Sequence, residues 1–146
     1  MMSIRRAIPE DLKAILRIET KSFARDAWNR DQFLDYLAQP KRTVFLVATI
    51  NGIVIAYAIG WHTATRAEID SIAVSPAERD KGVAIMLLRR VLNALRRRGL
   101  PAVSLNVRLD NHSAIRLYQK LGFERTRRIS GYYEDGSPAL RMRRTL

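Results

Sequence analysis

The pair Asn51-Gly52, set between two runs rich in strand-forming residues, constrains the fold most tightly. Residues 43–50 read Thr-Val-Phe-Leu-Val-Ala-Thr-Ile, and residues 53–61 continue in the same character. β-branched and aromatic residues suit a pleated, half-buried surface. An Asn-Gly pair accepts positive φ at low cost and reverses the chain in two residues, which is the strongest short hairpin signal. A third run, residues 67–74, ends at Ser75-Pro76 and extends the hairpin into a three-stranded meander.

Other elements assemble around that meander. Residues 3–7 read as a first strand. Pro9, Glu10 and Asp11 open a helix, with proline early and acids in its first turn. Leu12, Ile15, Leu16 and Ile18 supply its apolar side. Residues 24–28 read as a break. Asn29 then caps a second short helix carrying Phe33, Leu34 and Leu37, which Pro40 ends. After the meander, a helix over residues 83–98 presents Met86, Leu87, Val91, Leu92 and Leu95 as a buried stripe, and Gly99 and Pro101 stop it. Residues 103–108 form a fifth strand. Asn111 caps a helix through Leu121. Residues 124–133 and 139–144 close as a hairpin around Asp135-Gly136. The expected class is α/β: one domain over residues 1–146, with a mixed, mostly antiparallel sheet flanked by helices.

The 146 residues suffice for a real core without staples. There is no cysteine, which removes disulfides, thiolate metal sites and a cysteine nucleophile together. The first residues show no apolar core of signal-peptide length, and no window approaches the roughly 20 apolar residues of a membrane span. A cytoplasmic protein with no membrane partner is the expectation. A formal charge of +12 predicts attraction to polyanions: nucleic acid, anionic membrane or a phosphorylated cofactor.

Residues 72–84 carry the first candidate site. A strand ends at Ile72-Ala73-Val74, a polar loop follows, and a long helix begins after Arg79-Asp80-Lys81-Gly82. A helix start offers unpaired N–H groups and partial positive charge, which suit a phosphate. Gly82 lets the backbone approach a ligand closely, Ala84 is small for the same reason, and Arg79 and Lys81 add charge. The segment is not a Walker loop, since no Gly-Lys-Ser/Thr follows, and it lacks the three-glycine dinucleotide spacing.

Arg79-x-x-Gly82-x-Ala84 after Ile72-Ala73-Val74 resembles the acetyl-CoA signature of the GNAT superfamily of N-acetyltransferases. Residues 111–123, Asn-His-Ser-Ala-Ile-Arg-Leu-Tyr-Gln-Lys-Leu-Gly-Phe, resemble that superfamily's second cofactor segment. The separation of the two segments and the element order agree as well. The resemblance implies a GNAT-like fold and acetyl-CoA as acetyl donor. Backbone groups of Ile72, Ala73 and Val74 would pair with the pantetheine arm. Amides of Asp80, Lys81, Gly82, Val83, Ala84 and Ile85 would hold the pyrophosphate beside Arg79. Asn111 would contact the cofactor, and Tyr118 would protonate the departing thiolate. A phenol of pKa about 10 is protonated at neutral pH and can donate.

Within the superfamily, ribosomal-protein-alanine (RimI-type) acetyltransferases carry a glutamate base on the fifth strand. Here that position is Asn106, which accepts no proton at neutral pH but can orient a water. A branch resembling histone acetyltransferases places a glutamate on the fourth strand, where Glu68 stands. Glu68 and Asp70 share a strand face by the period of two. The expected base is Glu68, through water, with Asp70 as the alternative. N-terminal acetyltransferases often show a Tyr-Tyr pair, an Asp-Gly turn, then Glu-Asp-Ala and a methionine. Tyr132, Tyr133, Asp135-Gly136, Ala139 and Met142 fit, while Ser137 and Pro138 replace the acidic pair. The two tyrosines would hydrogen-bond the backbone of a peptide's first residues, with Phe23, Trp28 and Phe33 as a facing wall.

An α-amine of pKa about 8 costs about 3 kcal/mol less to deprotonate at neutral pH than a lysine at about 10.4. The expected acceptor is therefore a protein or peptide N-terminus, a ribosomal protein among the candidates, with nucleic acid not required and a monomer or homodimer as the acting species. Lysine or small-molecule amines are the alternative acceptors. A non-catalytic acetyl-CoA sensor and a nucleic-acid-binding protein using basic runs such as Arg96-Arg97-Arg98 are rivals of another class. No metal is expected, because His62 and His112 stand far apart without a ligand pattern.

Overall fold

The computed structural model describes residues 1–23 and 27–146. Its seven strands are β1 (Met2–Arg6), β2 (Thr43–Ile50), β3 (Ile53–His62), β4 (Ala67–Val74), β5 (Ala102–Arg108), β6 (Glu124–Ile129) and β7 (Ala139–Thr145). Its helices are α1 (Leu12–Ser22), α2 (Arg30–Leu37), α3 (Val83–Arg97) and α4 (His112–Lys120). One sheet runs β1-β2-β3-β4-β5-β7-β6. Every pairing is antiparallel except β4 with β5. Asn51 and Gly52 have φ of 51° and 80°, as the two-residue turn requires.

The sheet is covered on both faces. Leu12, Ile15 and Phe33 of α1 and α2 meet Phe45, Val47, Tyr57 and Ile59 on one side. Leu87, Leu88, Val91 and Leu95 of α3, with Ile115 and Tyr118 of α4, meet Ala56, Ala58, Leu105 and Met142 on the other. Gly60 is the point of closest approach: a Cβ there would lie 3.1 Å from Val91 Cγ1, so α3 packs against backbone.

Three expectations need correction. The first helix opens as a 3-10 turn over Pro9–Asp11 before α1 begins. Met86 is 49% exposed, and Leu88 takes its place in the buried stripe of α3. From Val83, steps of 100° bring residues 87, 88, 91, 92 and 95 to the sheet and turn residue 86 outward. Finally, β6 ends at Ile129, because Gly131 turns with φ of 62°; Tyr132 and Tyr133 therefore sit on a loop rather than a strand. The break expected over residues 24–28 includes Ala24, Arg25 and Asp26, which lie outside the described residues.

The parallel pair is what positions the site. β4 and β5 are in register only at Glu68 with Ser104 and Ile69 with Leu105. Beyond Ile69, β4 shifts register against β3 between Ile59 and Gly60, which leaves Asp70 as an extra residue. The bulge bends β4 away from β5. Residues 70–74 and 106–108 then run on as two diverging edges, open to whatever extended chain enters between them.

Candidate functional site: a split strand pair with a backbone half and a side-chain half

The first half lies at the open end of β4 and is made mainly of backbone. Asp80 and Gly82 both hold left-handed φ, 63° and 81°, immediately before α3. Gly82 is the N-cap residue, and no side chain caps the helix. The first amides of α3 therefore face outward with the helix dipole behind them. A Cβ built at Gly82 meets nothing within 4 Å, so the space above this turn is open. The expected charges are engaged within the protein. Arg79 donates to the Val74 carbonyl at 3.1 Å and to Ser22 Oγ at 3.1 Å, pinning the loop to β4 and α1. Lys81 pairs with Glu78 at 3.4 Å. Asn111 caps α4, its Oδ1 accepting from the Ala114 amide at 3.2 Å.

Tyr118 lies on α4, the helix that Asn111 caps. It is buried edge-on against Phe123, with centroids 5.7 Å apart. Burial raises its pKa, and the neighbouring Tyr133 adds to the rise, so the phenol keeps its proton.

The second half is a network of side chains. Arg141 of β7 holds both oxygens of Glu68, at 3.0 and 2.8 Å, and also donates to Asn106 Oδ1 at 3.0 Å. Asn106 Nδ2 in turn donates to Tyr132 Oη at 3.2 Å. The Glu68 hydrogen bond, with its charge, raises the pKa of Arg141. Tyr132 and Tyr133 meet edge to face at 4.9 Å, and Arg108 lies over the Tyr133 ring at 4.2 Å. Asp135 accepts from Arg108 at 3.2 Å and fixes its own turn through the Ser137 amide at 3.0 Å. Asp70 accepts from Tyr36 Oη at 2.6 Å. Burial pushes the Asp70 carboxyl up; the Tyr36 hydrogen bond opposes this, and the charge of Glu68 adds to it.

A third group went unread in the sequence. Glu19 of α1 is 1% exposed; it accepts from the Trp28 amide at 2.9 Å and from the Tyr57 hydroxyl, which also bonds Ser71. Burial raises its pKa against those two hydrogen bonds. The signal was available: Glu19 is one turn after Ile15, inside the apolar stripe of α1. Of the expected facing wall, Phe33 is core. Trp28 stacks on Tyr36 at 5.4 Å and 7°, beside the Asp70 hydrogen bond. Phe23 is half-buried.

The residues fit a coenzyme A thioester. An uncapped helix start suits a pyrophosphate, and diverging strand edges suit an arm carrying amides. Among the described residues no group of three potential metal ligands occurs. The comparisons with known proteins agree with this architecture. The chain belongs to the acetyltransferase (GNAT) family, whose model matches residues 10–123. It is an acetyl-CoA-dependent N-acetyltransferase. A Bacillus subtilis (strain 168) protein assigned as a [ribosomal protein bS18]-alanine N-acetyltransferase is 31% identical over 134 residues, covering 91% of this chain and 88% of the relative. The crystal structure of Ard1 from Thermoplasma volcanium superposes with a TM-score of 0.92 at 33% identity, covering 99% and 97% of the two chains. The ribosomal-protein-S18-alanine N-acetyltransferase of Escherichia coli superposes at 0.88 with 30% identity, covering 99% and 94%.

Proposed function

We propose that the enzyme acetylates the N-terminal α-amine of a protein or peptide in the cytoplasm, a ribosomal protein being the favoured acceptor. The observation that carries this reading is the loop bearing Tyr132 and Tyr133, tied to β5 through Asn106. That loop gives the cleft a polar lip able to bond a peptide backbone beside the split strands. The Bacillus subtilis and Escherichia coli relatives, by their names, act on the alanine of a ribosomal protein. No helix of the described residues is long and apolar enough to cross a membrane.

Acetyl-CoA, when bound, supplies the thioester carbonyl that the amine attacks directly. The chain's own residues then have three tasks. Amides from Asp80 to Ile85 hold the pyrophosphate, and backbone groups of Ile72, Ala73 and Val74 align the pantetheine arm. Tyr118, kept neutral by burial, gives its proton to the departing sulfur. A carboxylate on the cleft side of β4 takes the proton of the acceptor ammonium through water. Both oxygens of Glu68 are occupied by Arg141, which leaves it less free to bond a water. Asp70 has one hydrogen-bond donor and a raised pKa. Asp70 is therefore our preferred base, with Glu68 as the alternative and as the anchor of Arg141 and Asn106.

The test is a panel of peptides varying the first residue, with either the α-amine or the lysine blocked, read by mass spectrometry. Acetylation of the α-amine well ahead of internal lysine is expected. Modification confined to lysine would overturn the reading and favour the alternative acceptors.

A further inference from the structure

The basic runs are unused by the chemistry above, and the fold gathers several of them at one place. The starts of β2, β4, β5 and β6 and the ends of β3 and β7 share one end of the sheet. The C-terminus of α3 joins them, because Arg98 donates to the Thr43 carbonyl at 2.9 Å and contacts His62 at 3.0 Å. Gly82 lies at the other end of α3, 16 residues before Arg98 and so about 24 Å away at 1.5 Å per residue. These charges therefore do not serve the pyrophosphate.

At this end a groove of about 290 Å³ opens where β6 meets β7, lined by Arg125, Arg143 and Arg144 with Thr126, Gly122 and Glu124. Three arginines and one acidic residue are among its lining. Elsewhere Arg5, Arg79, Arg98 and Arg141 are engaged by protein acceptors. Among the described residues, no side-chain hydrogen bond or ion pair holds the three groove arginines. Protection of a sheet edge does not account for them. The edge strand β6 is already short and bulged between Arg125 and Arg127, and Arg143 and Arg144 belong to β7, an interior strand. Exposed Arg96 and Arg97 extend the positive rim along the same end of the sheet.

We propose that this end of the molecule is a docking site for the phosphate backbone of single-stranded RNA, with the Arg125–Arg143–Arg144 groove as its centre. The six strands from β2 to β6 span about 24 Å at roughly 4.8 Å per spacing, longer than a mononucleotide needs. Guanidinium groups match phosphate oxygens in bidentate geometry, and a groove running around a sheet edge suits a flexible strand better than a flat protein face. A membrane surface is disfavoured. Among the described residues, the exposed large apolar side chains are Met1, Ile8, Ile53, Met86 and Tyr132, none of which lines the groove to insert into lipid. Docking here would hold the enzyme near RNA-bound substrates and leave the acetyl-transfer cleft open.

The test uses the full chain and a fluorescent single-stranded RNA of about 20 nucleotides, followed by anisotropy across a salt series. Binding with a steep salt dependence is expected. Arg125→Gln with Arg143→Gln should weaken it at least tenfold and lower the salt slope by about 1.4, at roughly 0.7 per lost contact. Arg89→Gln with Arg90→Gln, a charge-matched pair on the exposed side of α3, should leave affinity within about twofold. Both double variants should keep wild-type peptide acetylation, which separates this site from the acceptor reading. Equal weakening in the two double variants would reduce the effect to bulk charge and overturn the proposal. So would tighter binding to polyglutamate or to phosphatidylserine vesicles than to RNA, or no RNA binding at about 0.1 M salt.

Discussion

The two halves of the proposed catalytic cleft, one for the donor and one for the acceptor, are built from different materials. The donor half is mainly backbone: a left-handed pair at Asp80 and Gly82, an uncapped helix, and two strands that part after Ile69. The acceptor half is side chains holding one another, Glu68 to Arg141 to Asn106 to Tyr132, with Asp70 and Tyr36 beside them. A backbone device tolerates almost any side chain except at the one or two positions that set its φ. A side-chain network responds to every member. Substitutions in the donor half should therefore move the binding of acetyl-CoA, and those in the acceptor half should move pH dependence and acceptor choice.

The largest expected effect falls on Tyr118, the proposed proton donor. Tyr118→Phe keeps the buried ring and removes only the proton donor. The turnover number should fall on the order of 10³-fold, within the range of general acid catalysis, while acetyl-CoA affinity by titration calorimetry stays within about twofold. An equal loss of affinity would make Tyr118 a packing residue and dissolve the boundary drawn here. Next in size is Asp70→Asn, which still accepts from Tyr36. On the order of 10²-fold in kcat/KM is expected, together with loss of the acid limb of the pH profile. The sign follows from burial. A base must be ionised, and Asp70 is pushed up, so the wild-type rate should fall with decreasing pH above the ordinary carboxylate value of about 4. If Glu68→Gln abolishes that limb and Asp70→Asn leaves it intact, Glu68 is the base.

A smaller effect tests the donor half alone. Gly82→Val forces a β-branched residue to φ of 81°. The KM for acetyl-CoA should rise roughly tenfold, about 1.4 kcal/mol, with little change in the KM for the peptide. A change confined to the peptide would show that the loop belongs to the acceptor side.

The same contrast explains what could be read from the amino acids. Backbone devices leave local signatures. Asn51-Gly52, Gly82, Asn29 and Asn111 each stood at a turn or cap that the structure bears out. Strand and helix order followed from periodicity. Pairings between distant side chains leave no such trace. Glu68 was legible as a carboxylate on β4, but its capture by Arg141, 73 positions away, depends on β7 lying beside β5. Asp70 meets Tyr36 only because the fold brings α2 within hydrogen-bond reach of the bulged strand. Glu19 is marked as buried by its place in the apolar stripe of α1, but its partners Tyr57 and Trp28 come from other elements and leave no local trace.

The smallest effect concerns how the acceptor-side helices are anchored. Arg5 of β1 holds the buried Asp11 carboxylate by two 2.8 Å hydrogen bonds, and the Ile8 amide adds a third at 2.9 Å. The Arg5 hydrogen bond, with the Ile8 amide assisting, holds the Asp11 pKa below the ordinary carboxylate value. A depressed pKa in the folded state gives stability that is present above the unfolded value of about 3.9 and lost as pH falls through the folded one. Arg5 is 43% exposed, so screening limits the pair, and about 1 kcal/mol is expected for Asp11→Asn at neutral pH. Thermal melts should show the gap between wild type and variant closing as pH drops below about 4. Acetyl-CoA affinity should be unchanged, since the pair lies at the foot of α1 and the turn proposed to hold acetyl-CoA lies before α3. A shift in acetyl-CoA affinity in this variant would mean that α1, which meets Arg79 at Ser22, transmits strain from the acceptor helices to the backbone half.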